Sequence, residues 1–388
     1  MPSHDLTLGE TSDTARRVLS SALRRLAQDL ARLRPRASVE VLRSFDAVRA
    51  VFVRELAREP GRVFTILRRP NVGVFVRVLR ELPPDAPRAR VDALTASLAC
   101  TLAIELTHAG AALEPLSFPL TPRTIVCLGG RFVLPGGGPA TLRDGAWHHD
   151  DHVHALVARE VHHHPIDRGI VLATVDDNPL AMMEAHPDKA GNSIDLGGRS
   201  IEAWCGPLRE ALELLAAHLP VVREEAELLL HQIVPVGVDD EKHLSASYRE
   251  ALGTIYLTLH PSLMTMTEAV VHELMHTKLN AMLELDPLLE NAFFPLFASP
   301  VRPDPRPLHG VLLAVHAFLP VAELYRRMIE ADHPLARSAA FRERHRVIAR
   351  KNHDGATVLL ANARPTEAGR ALLDEIARLD ARFEATRA

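Results

Sequence analysis

The chain has 388 residues, 47% apolar and 24% charged, with a net charge of −4. That much apolar chain can bury a sizeable core, which excludes a disordered protein. Its 20 Gly and 28 Pro carry no repeat, which excludes a collagen-like or low-complexity one. The near-neutral balance argues against nucleic acid as the main partner. The longest mostly apolar stretch, VLLAVHAFLPVA at 311–322, is shorter than the ~20 residues a span needs, so no membrane partner is expected. Cys100, Cys127 and Cys205 form no CxxC, and the start lacks a basic-then-apolar signal pattern. Both features predict reduced thiols and a cytoplasmic protein.

In chain order, TARRVLSSALRRLAQDLARL repeats apolar residues at Val18, Leu19, Leu23, Leu26 and Leu30, a helical period. Further helices fit 38–57, 71–82 and 91–110, so residues 1–118 read as a helical N-terminal region whose Arg stripes are solvated faces. From about residue 120, short β-prone runs alternate with Gly/Pro turns. HHDDHVHALVAREVHHH at 148–164 holds seven His in 17 residues, yet reads as an exposed edge strand and loop in preference to a second metal site. Helix returns over 200–236, broken at Pro207 and Pro220. TIYLTL at 254–259 alternates and is β-branched, so it predicts an edge strand. A strong helix over 266–286 follows, capped by Thr265 or Thr267. After a Pro-rich loop, a second helix covers 306–330. The expectation is an α+β, mostly helical fold. It comprises the N-terminal region, an α+β metal-site core over 119–334, and C-terminal helices over 335–388, arranged around a cleft.

The chemistry concentrates in His272-Glu273-Leu274-Met275-His276. On a helix, positions i and i+4 share a face, so both imidazoles can meet one metal ion with Glu273 beside them. The surrounding helix is apolar, and buried imidazoles and carboxylates need partners. The metzincin continuation fails, because Leu279 stands at its Gly position and Met282 at its last His. A third ligand must come from elsewhere. His309, at the start of the next helix, leads, with His316 and Glu323 as alternatives. For His316 alone, a hydrogen-bonded core imidazole is the better reading.

The stretches HELMHTKLNAMLELDP and VRPDPRPLHGVLLAVHAF, with SASYREALGTIYLTL upstream, resemble the HExxH-motif peptide-modification proteins. These are regarded as 2-oxoglutarate-dependent peptide β-hydroxylases acting in the maturation of ribosomally synthesised peptides. The resemblance covers about 243–330. It implies a dioxygenase using Fe(II), 2-oxoglutarate and O2 on a ribosomally made precursor peptide. Iron would be held by His272, His276 and His309 or a carboxylate. The distal carboxylate of 2-oxoglutarate would be held by Arg306, then Arg302, then Lys278. Glu273 would then orient a ligand or metal-bound water, or itself bind the metal. Ser245 and Ser247, beside the edge strand, would contact extended peptide by β-augmentation, ordinary turn capping being the equal alternative. Two other readings stay open. In a zinc metallopeptidase, Glu273 would be the general base. In a non-catalytic peptide binder, the metal would be structural. The oligomeric state is unknown from sequence.

Overall fold

The computed structural model describes residues 6–387 apart from 114, 128–129, 134–137, 150–151, 157–161, 177, 179–184, 187–188, 191–192 and 299–303. Helix makes up 58% and strand 15%, which places the chain in the mostly helical α+β class.

The first core is built by α1 (Asp13–Arg32), α2 (Val39–Arg58), α3 (Pro60–Arg68), α4 (Pro70–Glu81) and α5 (Arg88–His108). Pro60 and Pro70 open their helices, where a missing N–H costs nothing. Against these helices lie β1 (Leu116–Phe118), the hairpin β2 (Thr124–Cys127) and β3 (Gly130–Val133), then β4 (Ala140–Arg143), β5 (Ala146–His149) and β6 (His152–Ala155). Strands β1, β4, β5 and β6 form one antiparallel sheet in that order. Leu116, Phe118, Leu142 and Trp147 alternate inward and join the helical core, which runs on to Leu156. The first core therefore runs past residue 118, because β1 packs on α2 and β2 on α5. Of the His-rich segment, residues 152–155 form the exposed edge strand β6 that its polarity predicts, whereas His148 and the buried His149 lie on the inner strand β5 and His163 and His164 on β7 (His163–Asp167).

The second core begins with β7 (His163–Asp167) and β8 (Ile170–Ala173), and the short pair β9 (Ala185–His186) and β10 (Lys189–Ala190) follows. Next come α6 (Ile201–His218), α7 (Pro220–Leu229), β11 (Gln232–Val238), β12 (Ser245–Ser247), β13 (Thr254–Leu259) and α8 (Leu263–Leu283). The hairpin β14 (Leu296–Phe297) and β15 (Arg306–Pro307) precedes α9 (Leu308–Glu330), α10 (Ala339–Asn362), α11 (Glu367–Ala381) and α12 (Glu384–Arg387). Five strands pair in the order β12-β13-β11-β8-β7, with β8, β11 and β13 parallel and the two edge strands antiparallel.

Four expectations change here. QIVPV, expected to continue a helix, is the buried central strand β11; a short apolar run has no period that separates the two forms. TIYLTL is an inner strand, and β12, carrying Ser245 and Ser247, is the edge. Pro207 lies inside a continuous α6, and Ser262, not Thr265 or Thr267, caps α8 by accepting from the Thr265 N–H.

Helix α9 is long and apolar enough by composition to cross a membrane, but most of it is buried in the second core. The two cores are tied by Arg77 of α4, whose Nε donates to Glu284 at the end of α8 at 3.0 Å, both side chains buried. Residues 6–8 also thread into the second core. Their N–H groups donate to the Glu375 carboxylate of α11 at 2.7–3.0 Å.

Candidate metal centre

Helix α8 brings His272 and His276 one turn apart on one face, and their Nε2 atoms meet at 2.8 Å. Burial pushes His272 well below its usual pKa, and the neighbouring His276 and His243 add to the effect. Burial lowers His276 as well, with Glu273 pulling the other way. Both rings are therefore neutral at pH 7, the form in which imidazole binds a metal. Phe318 of α9 packs on His272 with ring centroids 4.6 Å apart and limits its rotation. Both Nδ1 atoms are buried without a hydrogen-bond partner among the described residues.

Glu273 is 2% exposed. Its Oε2 accepts a hydrogen bond from the Ser247 hydroxyl at 2.6 Å, so the edge strand holds the motif carboxylate. The ligand atoms of His272, Glu273 and His276 all lie within 4.8 Å of one another. Among the described residues, this is the only group of three or more His, Cys, Asp or Glu side chains that converges in this way. Two imidazoles and one carboxylate fit a divalent transition metal, and this donor set is the one non-haem iron oxygenases use.

The pair opens onto a cavity of about 610 Å³. Its walls come from three further elements. Gly310, Leu313, Ala314 and Phe318 are one face of α9, and Arg306 lies just before that helix. Arg344, Val347, Ile348, Lys351 and Asn352 are one face of α10, spaced three and four apart. His243, ahead of β12, closes the cavity on the sheet side. Burial holds His243 down at about 4, with His260 adding to the effect, and its Nε2 has no hydrogen-bond partner among the described residues. Arg344 is gripped by both carboxylate oxygens of Glu268, with the closest contact at 2.6 Å. Glu268 sits one turn before His272 and also accepts the Tyr325 hydroxyl.

The other expected residues are distributed differently. His309 lines the adjacent cavity, packed on Phe293 at 5.3 Å, and is not in the converging group. The reason is angular: Gly310 faces the metal cavity, and one residue back is 100° round the helix. His316 is fully buried, with Nε2 3.2 Å from the Leu6 carbonyl, the core histidine its sequence context suggested. Glu323 is held by Arg326 and Arg327 at 2.7–2.9 Å. All three alternatives for the third ligand therefore lie outside the group, and Glu273 supplies its third donor.

Lys278 cannot reach a ligand in the cavity. It is fully buried, with Nζ 2.7 Å from Glu225 and 3.1 Å from the Thr7 carbonyl. Arg306 does line the cavity and pairs with Asp304 at 2.8 Å. Arg302 lies outside the described residues. Ser247 touches the site through Glu273, and Ser245 shares its side of the strand.

Sequence reasoning missed the face of α10 and His243. The chain carries only four lysines, of which Lys351 is one, and that scarcity was the available signal. Compared with known proteins, the sequence matches no protein-family model and no curated protein.

Proposed function

We propose that the protein is an Fe(II)- and 2-oxoglutarate-dependent oxygenase that hydroxylates a side-chain β-carbon of a ribosomally made peptide in the cytoplasm. The observation that carries this reading is the convergence of His272, His276 and Glu273, with both imidazoles lining a cavity that also carries Arg306, Arg344 and Lys351. Bound iron would activate O2 together with the 2-oxo acid.

The chain's own contributions follow from the packing. His272 and His276 offer neutral nitrogens because they are buried. Ser247 donates to Oε2 of Glu273 and so holds the carboxylate in place. Leu313, Ala314, Phe318, Val347 and Ile348 make the cavity wall apolar and restrict water around the reacting groups. The outer edge of β12 pairs with no other described strand. Its backbone groups can take an extended peptide as an added strand, bringing a side chain beside the motif helix.

The test is anaerobic. Fe(II) is added to metal-free protein, 2-oxoglutarate is titrated, and the visible charge-transfer band of the chelated 2-oxo acid is followed. The band is expected in the wild type and not in His272→Ala. A wild type without the band overturns the reading.

One observation favours a second reading. Glu273 stands beside both imidazoles and next to an antiparallel edge strand, the arrangement a zinc peptidase needs for a general base and an extended substrate. Cleavage of extended peptides by Zn²⁺-loaded protein, abolished in Glu273→Gln, would establish it.

A further inference from the structure

The α10 wall of the metal cavity carries two groups that the proposed chemistry has not yet used. Asn352 is 4% exposed, and its Nδ2 has no hydrogen-bond partner among the described residues. A buried amide donor left unmet costs about 1–3 kcal/mol, so its presence at a cavity wall points to an acceptor that arrives with a ligand. Lys351 adjoins it, lines the same cavity and has no acidic partner among the described residues. Of the two other cations of the cavity, Arg344 is held by Glu268, and Arg306 pairs with Asp304 although its Nε makes no hydrogen bond among the described residues. No carboxylate is among the residues lining the cavity. A free ammonium and an unmet amide N–H, with no competing acid, select a carboxylate.

We propose that Lys351 and Asn352 of α10 form the carboxylate-binding end of the metal cavity and take the distal carboxylate of 2-oxoglutarate, in place of Arg306, Arg302 or Lys278. The proposal rests on the oxygenase reading above. The bound cosubstrate would bridge two helices far apart in sequence, its 2-oxo acid end at α8 and its distal carboxylate at α10. Lys351 would contribute charge and Asn352 a directed hydrogen bond.

The test is calorimetric and needs no turnover. Full-length protein loaded with Zn²⁺ is titrated with 2-oxoglutarate and, separately, with pyruvate, a 2-oxo acid without the distal carboxylate. Wild type, Lys351→Met and Lys351→Arg are compared. Lys351 is exposed, so its replacement leaves the core intact. The expected result is at least a ten-fold loss of 2-oxoglutarate affinity in Lys351→Met, recovery to within about three-fold in Lys351→Arg, and unchanged pyruvate binding. Wild-type affinity for 2-oxoglutarate in Lys351→Met would overturn the subsite and leave the oxygenase reading standing. Equal weakening of both ligands would also overturn it, by locating the loss at the metal end. A wild type that binds neither ligand would overturn both readings.

Discussion

Replacing Lys278 by Met separates a structural lysine from one that holds a cosubstrate. Its ammonium is fully buried, 2.7 Å from a Glu225 carboxylate that is only 1% exposed, and it also donates to the Thr7 carbonyl. Removing one partner of such a pair leaves a buried charge without its counter-ion, which costs about 3–5 kcal/mol. Removing both charges in Lys278→Met/Glu225→Leu substitutes apolar groups of similar volume, and that exchange is close to neutral. The double variant is therefore expected to be more stable than Lys278→Met alone by about 2 kcal/mol or more. The assay is urea unfolding followed by tryptophan fluorescence. The two tryptophans report different cores, Trp147 the first and Trp204 the second, so a Trp147→Phe background isolates the core that contains Lys278. Binding of 2-oxoglutarate to the folded Lys278→Met protein is expected to match wild type. A stability loss below about 1 kcal/mol together with lost 2-oxoglutarate affinity would refute the reasoning and return Lys278 to the cavity.

Three further outcomes are expected. His309→Ala should retain wild-type metal stoichiometry while His276→Ala loses it, measured by metal analysis after dialysis; metal loss in His309→Ala would restore His309 as a ligand. Ser247→Ala should lower stability by about 1.5–3 kcal/mol, since a buried carboxylate loses its short hydroxyl bond, and Ser247→Thr should recover most of it in the same denaturation series. Burial beside Arg69 and Arg68 holds His231 at about 4, below its unfolded value near 6.5. Between those values the unfolded chain binds the extra proton, so stability falls as pH drops through the window. The slope is about 1.4 kcal/mol per pH unit for this one group. His231→Asn should flatten the unfolding midpoint between pH 6.5 and 4.5 by that slope.

What could be read from sequence tracks how local each determinant is. The motif helix is legible because HExxH, its apolar flanks and its period all lie within one element. The helical start is legible for the same reason. Strand β11 is not, because QIVPV is too short and too apolar to show a period, and its two faces are buried by tertiary packing, Ile233 in the second core and Val234 and Val236 in a cluster with Ala173 and Tyr256. His309 falls outside the converging group by a single position on α9, a difference of 100° that no sequence spacing resolves without the crossing of α8 and α9. The face of α10 is the plainest case. Arg344, Lys351 and Asn352 read as the polar side of a surface helix, and only packing against α9 turns that side onto the metal cavity.

The donor count then weighs between the two enzymatic readings. A catalytic zinc site ordinarily has three protein ligands and a separate general base. If Glu273 is spent as the base, only His272 and His276 remain in the converging group, one ligand short, and His309, His316 and Glu323 lie outside it. His243 lines the cavity and could complete a zinc site only by moving toward the pair. If Glu273 is itself a ligand, two imidazoles and one carboxylate suffice for iron, and the remaining positions accommodate a bidentate 2-oxo acid and O2. His243→Ala separates the cases. Unchanged Fe(II) affinity with an intact 2-oxoglutarate band is expected from the iron site, whereas loss of tight metal binding would identify His243 as the missing third ligand and shift the balance to the peptidase.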